Sequence, residues 1–408
     1  MIRTLTNLVR YTAASARGGT VRYYCGNLQE FYKALYDEGI NPVILRWDRE
    51  TPITPQDENN YQYDVDHLIS NDQAKKIGII AGRFPGKIKC DFYSVSGQSG
   101  SSYQGMPYYP PAKALSLLDH AILHEDGYFH LIGKHAFYSY AYHMCYHKGP
   151  RSGIPLESDP KEDQTTASRD YTAELIRLAT LASIQLPDPI SITSLDQLLR
   201  DHGWGMPYDL MIRWPDEHTY LKSLIHKRAK KMAKDSELAK HLTVFIIRSD
   251  CEGQEMKNLV KKLVGERFSV LQDFPLTKDQ QVALINHTRG GDWIEKYTRD
   301  LIHPVEALIC QNRESPGPVP GGLSSQKLIK RYPHVEHTDV LIKRNIRKAV
   351  NTQLGHHQDR VVLHATDNAM ESGETLRVLL GEHWAKDLLG KSTNIIRTPT
   401  SKGFQKSV

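Results

Sequence analysis

The sequence predicts an α+β chain of more than one domain, on three observations. At 408 residues it is longer than one hydrophobic core of ordinary size needs. Stretches with apolar residues three and four apart alternate with short β-branched runs, so helices and strands share the chain. The composition, 39% hydrophobic and 24% charged, is that of a globular protein. No apolar run approaches the roughly 18 residues of a membrane span. A net charge of +5 is too small for a dedicated nucleic-acid binder and suits an anionic small ligand. The five cysteines, Cys25, Cys90, Cys145, Cys251 and Cys310, are scattered and form no CxxC pair. That pattern points to a reducing compartment, the cytoplasm, and away from disulfide or zinc-knuckle frameworks.

Five segments follow in order. Residues 1–27 carry Arg3, Arg10, Arg17 and Arg22 and no acidic residue, as a basic leader or a targeting segment would. Residues 28–155 mix helix and strand patterns and are rich in Tyr and Gly. Residues 156–240 open on a polar stretch and turn helical in "YTAELIRLATLA" and "SLDQLLRDHGW". They close on the basic run "HKRAKKMAKDSELAKH", read as a solvated helix face. Residues 241–385 return to a mixed pattern, interrupted by the Pro/Gly-rich loop "ESPGPVPGGLSS". Residues 386–408 are a polar tail, with a linker expected near 236–241.

Acidic residues mark the first mixed segment. In "YDVDHLIS", Asp64 and Asp66 alternate with apolar residues and so share one strand face. The strand-like run "GKIKCDFYSV" follows and holds Asp91. Carboxylates crowded this way repel unless a cation or basic groups lie between them. Mg²⁺, which wants oxygen ligands, is the expected cation at Asp64, Asp66 and Asp91. The segment resembles the nucleotidyltransferase-like superfamily over roughly residues 28–155. The resemblance implies a mixed sheet with a helical extension, Mg²⁺ and a nucleoside triphosphate. Where that superfamily has a Gly-Ser turn, this chain has "LRWDRET", offering Arg46 and Arg49 to phosphate. Further on, "YSYAYHMCYHKGPRSGIP" reads as a helix ending at Gly149. Its His143 and His147 are spaced for a metal or for a packed polar face, and Lys148 with Arg151 suits an anion.

The order from residue 241 is a strand "LTVFIIR", a helix "GQEMKNLVKKLVGE", a strand "RFSVLQDFPL" and a helical stretch "TKDQQVALINHT". A strand "PVEALIC", a helix "DVLIKRNIRKAV" and a strand "DRVVLH" complete it. That is the ferredoxin-like βαββαβ pattern. With "FIIRSD" and "VVLHATDNAMES" in place, residues 241–385 resemble the nucleoside diphosphate kinases. The resemblance puts a phosphate-accepting histidine at His364, expected at a strand end, with Thr366 and Asp367 in the following turn. It puts phosphate contacts on Arg248, Lys327, Arg331, Thr338 and Arg347, lets Glu374 orient the ring, and implies a homo-oligomer through this domain. Departures from the family's signature are Val361 for an asparagine and Ala365 for a glycine.

The resulting expectation is a nucleotide-dependent transferase: a Mg²⁺-dependent nucleotidyltransferase-like domain fused to a nucleoside diphosphate kinase-like domain, acting on a nucleotide and an unidentified acceptor. A non-catalytic nucleotide-binding protein and a kinase with an accessory domain stand beside it.

Overall fold

A computed structural model describes residues 19–389 apart from 47–49, 158–168, 213, 215–218, 289–292, 294–300, 314–334, 337 and 356–359, with a few positions before residue 19. The chain forms two compact units. One comprises Met1–Arg228 with Gln281–Pro304, the other Ala229–Gln280 with Val305–Val408.

The first unit is built on a six-stranded mixed sheet. Its strands are β1 (Arg22–Cys25), β2 (Val43–Ile44), β3 (Asp64–Ile69), β4 (Ile88–Ser94), β5 (Ile122–Leu123) and β6 (Phe129–His130), in the order β1-β4-β3-β2-β6-β5. The central pair β3/β4 is parallel, with Asp66 beside Asp91 in register. On the other side of β4, β1 runs antiparallel and sets Arg22 beside Asp91. Alternation divides the faces. Val65, Ile69, Cys90 and Phe92 turn to a core shared with Leu28, Phe31 and Leu35 of α1 (Leu28–Tyr36). Leu68 and Tyr93 turn to a second, larger core. In that core α4 (Pro111–Asp119), α5 (Gly133–Tyr142), α6 (Tyr171–Leu181) and α7 (Ile192–Asp201) contribute buried side chains, whereas α2 (Pro55–Asn60) and α3 (Ala74–Ala81) do not. A short α8 (Tyr208–Met211) precedes α9 (Thr219–Leu238).

Periodicity explains the helices. In α7, Ile192, Leu195 and Leu199 recur three and four apart and are buried, and Ser191 caps the N-terminus by accepting from the Ser194 amide. Asp196 on the same helix is buried in an ion pair with Arg228 (2.6 Å) and accepts from the Tyr146 hydroxyl (2.7 Å). After α5 the chain widens into a π-helical turn over His143–Lys148, ended by Gly149. Gly149 has φ +55°, and a Cβ there would stand 2.5 Å from the Tyr220 ring. Only glycine fits that turn.

The second unit carries a four-stranded sheet in the order β10-β7-β9-β8, from β7 (Leu242–Arg248), β8 (Phe268–Pro275), β9 (Pro304–Asn312) and β10 (Leu363–Ala365). β10 is antiparallel to β7, and β8 to β9. Helices α10 (Gln254–Gly265), α12 (Ile342–Gln353) and α13 (Ala369–Leu380) lie between or after these strands. The intervening α11 (Lys278–His287) spans the division between the units in sequence. A last helix, α14 (Trp384–Leu389), ends the described chain. Met256, Val260 and Val264 of α10 pack with Ile346 and Val350 of α12 on Phe245, Ile247 and Leu363 of the sheet. Among the described residues, no helix is long and apolar enough to cross a membrane.

Candidate functional site

The carboxylate cluster of the first unit is assembled by strand register. Asp64 and Asp66 project from one face of β3, and the parallel pairing brings Asp91 of β4 level with Asp66. A cavity of about 300 Å³ opens over them. Its wall holds all three carboxylates, four cations (Arg22, Arg46, Lys148 and Arg169), and the rings of Tyr63, Tyr93, Tyr103, Tyr108, Tyr171 and His143. Arg169 is also ion-paired with Glu50 at 2.8 Å, so cations and carboxylates balance around the cavity.

Each carboxylate is already engaged. Arg22 donates from Nε to Asp91 (2.9 Å) and from one Nη to both Asp91 (2.5 Å) and Asp64 (2.7 Å). Lys89 lies 3.7 Å from Asp64. Asp66 is ion-paired with Arg46 and accepts from the Tyr93 hydroxyl at 3.2 Å. Arg46 also donates to the Tyr108 oxygen at 2.8 Å, and that hydroxyl meets His143 Nδ1. Burial lowers the His143 pKa well below the usual range, so the ring is neutral. A connected polar chain thus runs Asp66–Arg46–Tyr108–His143.

Burial pushes the Asp91 carboxyl up to about 6, against the lowering effect of its Arg22 hydrogen bond. Behind it, His67 is buried and brought down to about 4, mainly by desolvation. Its Nδ1 is 3.0 Å from the Asp91 carbonyl, and its Nε2 meets the Tyr32 hydroxyl. A neutral His67 therefore ties β3 to β4 directly beneath the acidic face.

Asp64, Asp66 and Asp91 offer the oxygen ligands a hard divalent ion wants, but their carboxylate oxygens do not all come within 4.8 Å of one another, and Arg22 sits as the cation between two of them. Arg22 is also the more exposed member, with 41% of its side chain exposed, whereas Arg46 is buried. The other expected residues on this unit divide clearly. Lys148 reaches the cavity, its Nζ 5.0 Å from the centre of the Tyr171 ring. Arg151 instead donates to the His147 carbonyl (3.1 Å). The His143/His147 pair is a packed polar face: His147 Nε2 lies 2.9 Å from the Tyr108 carbonyl, and the two rings stack with centroids 5.7 Å apart. Arg49 lies outside the described residues.

In the second unit the expected histidine takes a different position. His364 is not at a strand end but in the middle of β10, opposite Ile246, and only 3% of it is exposed. The ladder runs on through Ala365, so the ring is held inside the unit. Its Nε2 is 3.2 Å from an Nη of Arg248, which is itself buried and 3.3 Å from Asp250. Arg347 donates from Nε and Nη to the Leu363 carbonyl at 2.8 and 2.6 Å. The Thr366 hydroxyl takes the Val244 amide at 3.0 Å and bonds Ser372 Oγ at 2.7 Å. These contacts are those of a packed junction between β7, β10 and α13. Asp367 is ion-paired with Lys343. Thr338 opens a 3-10 turn, Thr338–Leu341. Lys327 and Arg331 lie outside the described residues.

Sequence reasoning missed Arg22, Tyr93, Tyr108 and Arg169 on the cavity wall. Arg22 could have been found from its strand, since "RYYC" has two strand-favouring tyrosines and sits before a helix start. The other three have no local signal, because they converge only through the fold. No family model, curated protein or solved structure matches the chain.

Proposed function

We propose that this protein is a nucleotide-dependent transferase whose phosphate chemistry belongs to the cavity of the first unit. The observation that carries the reading is the register of Asp66 with Asp91 on parallel strands, with Asp64 on the same face, beside four cations on one cavity wall. Phosphoryl and nucleotidyl transfer need reactants positioned and the charge on the phosphate oxygens cancelled, with little covalent work from the protein. Arginine suits that task because its fork is always charged and binds phosphate at two points. Arg46 is pre-oriented by Asp66 and Tyr108, so little side-chain freedom is lost when it binds. The tyrosine rings offer stacking faces for a base. Asp64, Asp66 and Asp91 would hold Mg²⁺ only once Arg22 withdraws and their side chains converge, and the ion when bound would supply charge neutralisation to the phosphates.

For the whole chain we read a nucleotidyltransferase-like first unit joined to a nucleoside diphosphate kinase-like second unit. The strand order β10-β7-β9-β8 supports a ferredoxin-like arrangement there. The burial of His364 against Arg248 favours a second unit that packs or binds nucleotide without passing phosphate through its histidine. Five buried cysteines free of disulfides support a reducing, cytoplasmic setting. Self-association through the second unit belongs to the same reading and is read by sedimentation.

The test is calorimetric titration of the full chain with Mg²⁺ and a nucleoside triphosphate. Saturable binding that weakens at least tenfold in Arg46→Met supports the reading. Binding that is absent, or unaffected by that substitution, removes it.

A further inference from the structure

We propose a transition-metal site, distinct from the carboxylate cavity, in the hairpin "HEDGYFH": His124, Asp126 and His130 bind one divalent ion of the zinc class. One ligand atom from each residue lies within 4.8 Å of the other two, the only such trio among the described residues. His130 Nε2 is 2.7 Å from one Asp126 oxygen, and His124 Nδ1 is 3.8 Å from the other. Ligand atoms around one tetrahedral zinc at about 2.0–2.2 Å stand roughly 3.3 Å apart. The two nitrogen–oxygen distances lie on either side of that spacing, each to a different oxygen of Asp126, so side-chain movement would bring both imidazoles onto one ion. The rings of His124 and His130 meet at 82° with centroids 5.5 Å apart. They do not stack, and their nitrogens come together at the carboxylate.

The backbone holds this arrangement before any ion arrives. β5 and β6 pair antiparallel, and the turn closes with the His124 amide on the Tyr128 carbonyl and the Gly127 amide on the His124 carbonyl, both 2.9 Å. Gly127 takes φ +84°, a conformation that favours glycine. Gln29 donates to the Asp126 carbonyl (2.8 Å) and Tyr36 to the Gly127 carbonyl (2.9 Å), clamping the turn to α1. Asp126 Oδ1 also accepts the Tyr128 amide at 2.9 Å, which fixes the carboxylate. His130 is 3% exposed on its side chain, and its Nδ1 is buried with no hydrogen-bond partner among the described residues. Its orientation therefore rests on Asp126. His124 is 54% exposed, which gives an ion a route in from solvent.

The chemistry selects the ion. Two imidazoles and one carboxylate suit zinc and its neighbours and are too nitrogen-rich for Mg²⁺. Three protein ligands leave a fourth position for water or an anion. His124 also lines a second cavity, of about 390 Å³, walled by Arg46, Arg177, Leu131 and Leu178.

The test uses the full chain stripped with a chelator and titrated with Zn²⁺, then with Co²⁺ to report ligand type. The expected result is one equivalent bound, a cobalt spectrum without a thiolate band, and at least a tenfold weaker affinity in His124→Ala and in Asp126→Asn. His124 is exposed, so its alanine variant keeps the fold, and Asp64→Asn keeps the binding. No bound zinc, or one equivalent that survives both substitutions, overturns the proposal; the Asp126–His130 pair then only braces the turn.

Discussion

Replacing Arg22 with methionine separates the two forces that set the charge of Asp91. Burial raises this carboxyl from 3.8 to about 6, while the Arg22 hydrogen bond pulls the other way. A rise of that size disfavours the ionised form by about 3 kcal/mol. Because the folded state holds the proton more tightly than the unfolded chain, this contribution is fully present below 3.8 and is lost as pH rises through about 6. Arg22 makes two contacts with Asp91, at 2.9 and 2.5 Å. A hydrogen bond to a charged group is worth about 1.5–3 kcal/mol. With 41% of the Arg22 side chain exposed, solvent screening selects the lower end. Its loss should therefore move Asp91 up by about one pH unit, to near 7. At pH 7 the ionised fraction would fall from about nine-tenths to about one-half. Carbon-detected NMR of the side-chain carboxyls reads this directly, with Asp91→Asn identifying the resonance. A midpoint that is unchanged or lower in Arg22→Met would refute the reasoning, since Arg22 would then not be the group stabilising the carboxylate.

Three further outcomes follow from the packing. His364→Ala should lower the unfolding free energy by roughly 2–3 kcal/mol in denaturant titration, because it removes the imidazole beside buried Arg248; wild-type stability would show the ring to be a surface group after all. Asp196→Ala should cost about 3–5 kcal/mol, because Arg228 is left with an uncompensated buried charge, and a loss under 1 kcal/mol would contradict this. Gly149→Ala should cost about 1–3 kcal/mol from its backbone alone, with the Tyr220 ring clash added; an unchanged melting temperature would count against this.

The sequence made the acidic face legible because period-two alternation is a local property: Asp64, Val65 and Asp66 announce a shared face without any tertiary information. The alternation of strands and helices from β7 to β10 was legible for the same reason, each strand having its own apolar pattern. Arg22 was hidden by its company. Four arginines without an acid read as a leader, yet Arg22–Cys25 is an edge strand whose partner lies beyond residue 87. His364 was misplaced because its strand was expected to stop at the histidine. The ladder with β7 sets the true bounds, Leu363–Ala365, and buries the ring. The hairpin trio had no signal, since two-residue strands such as β5 and β6 are too short for any periodicity. Nor could composition mark Gln281–Pro304 as part of the first unit, which depends on long-range contacts alone.

The central claim is that phosphate chemistry resides at the acidic cavity and not at His364. Incubating the full chain with Mg²⁺ and a nucleoside triphosphate labelled separately at its α- and γ-phosphates tests it most directly. The account predicts α-label on an acceptor or product, lost in Asp66→Asn and retained in His364→Gln. Acid-labile γ-label on the protein that disappears in His364→Gln and persists in Asp66→Asn would contradict it.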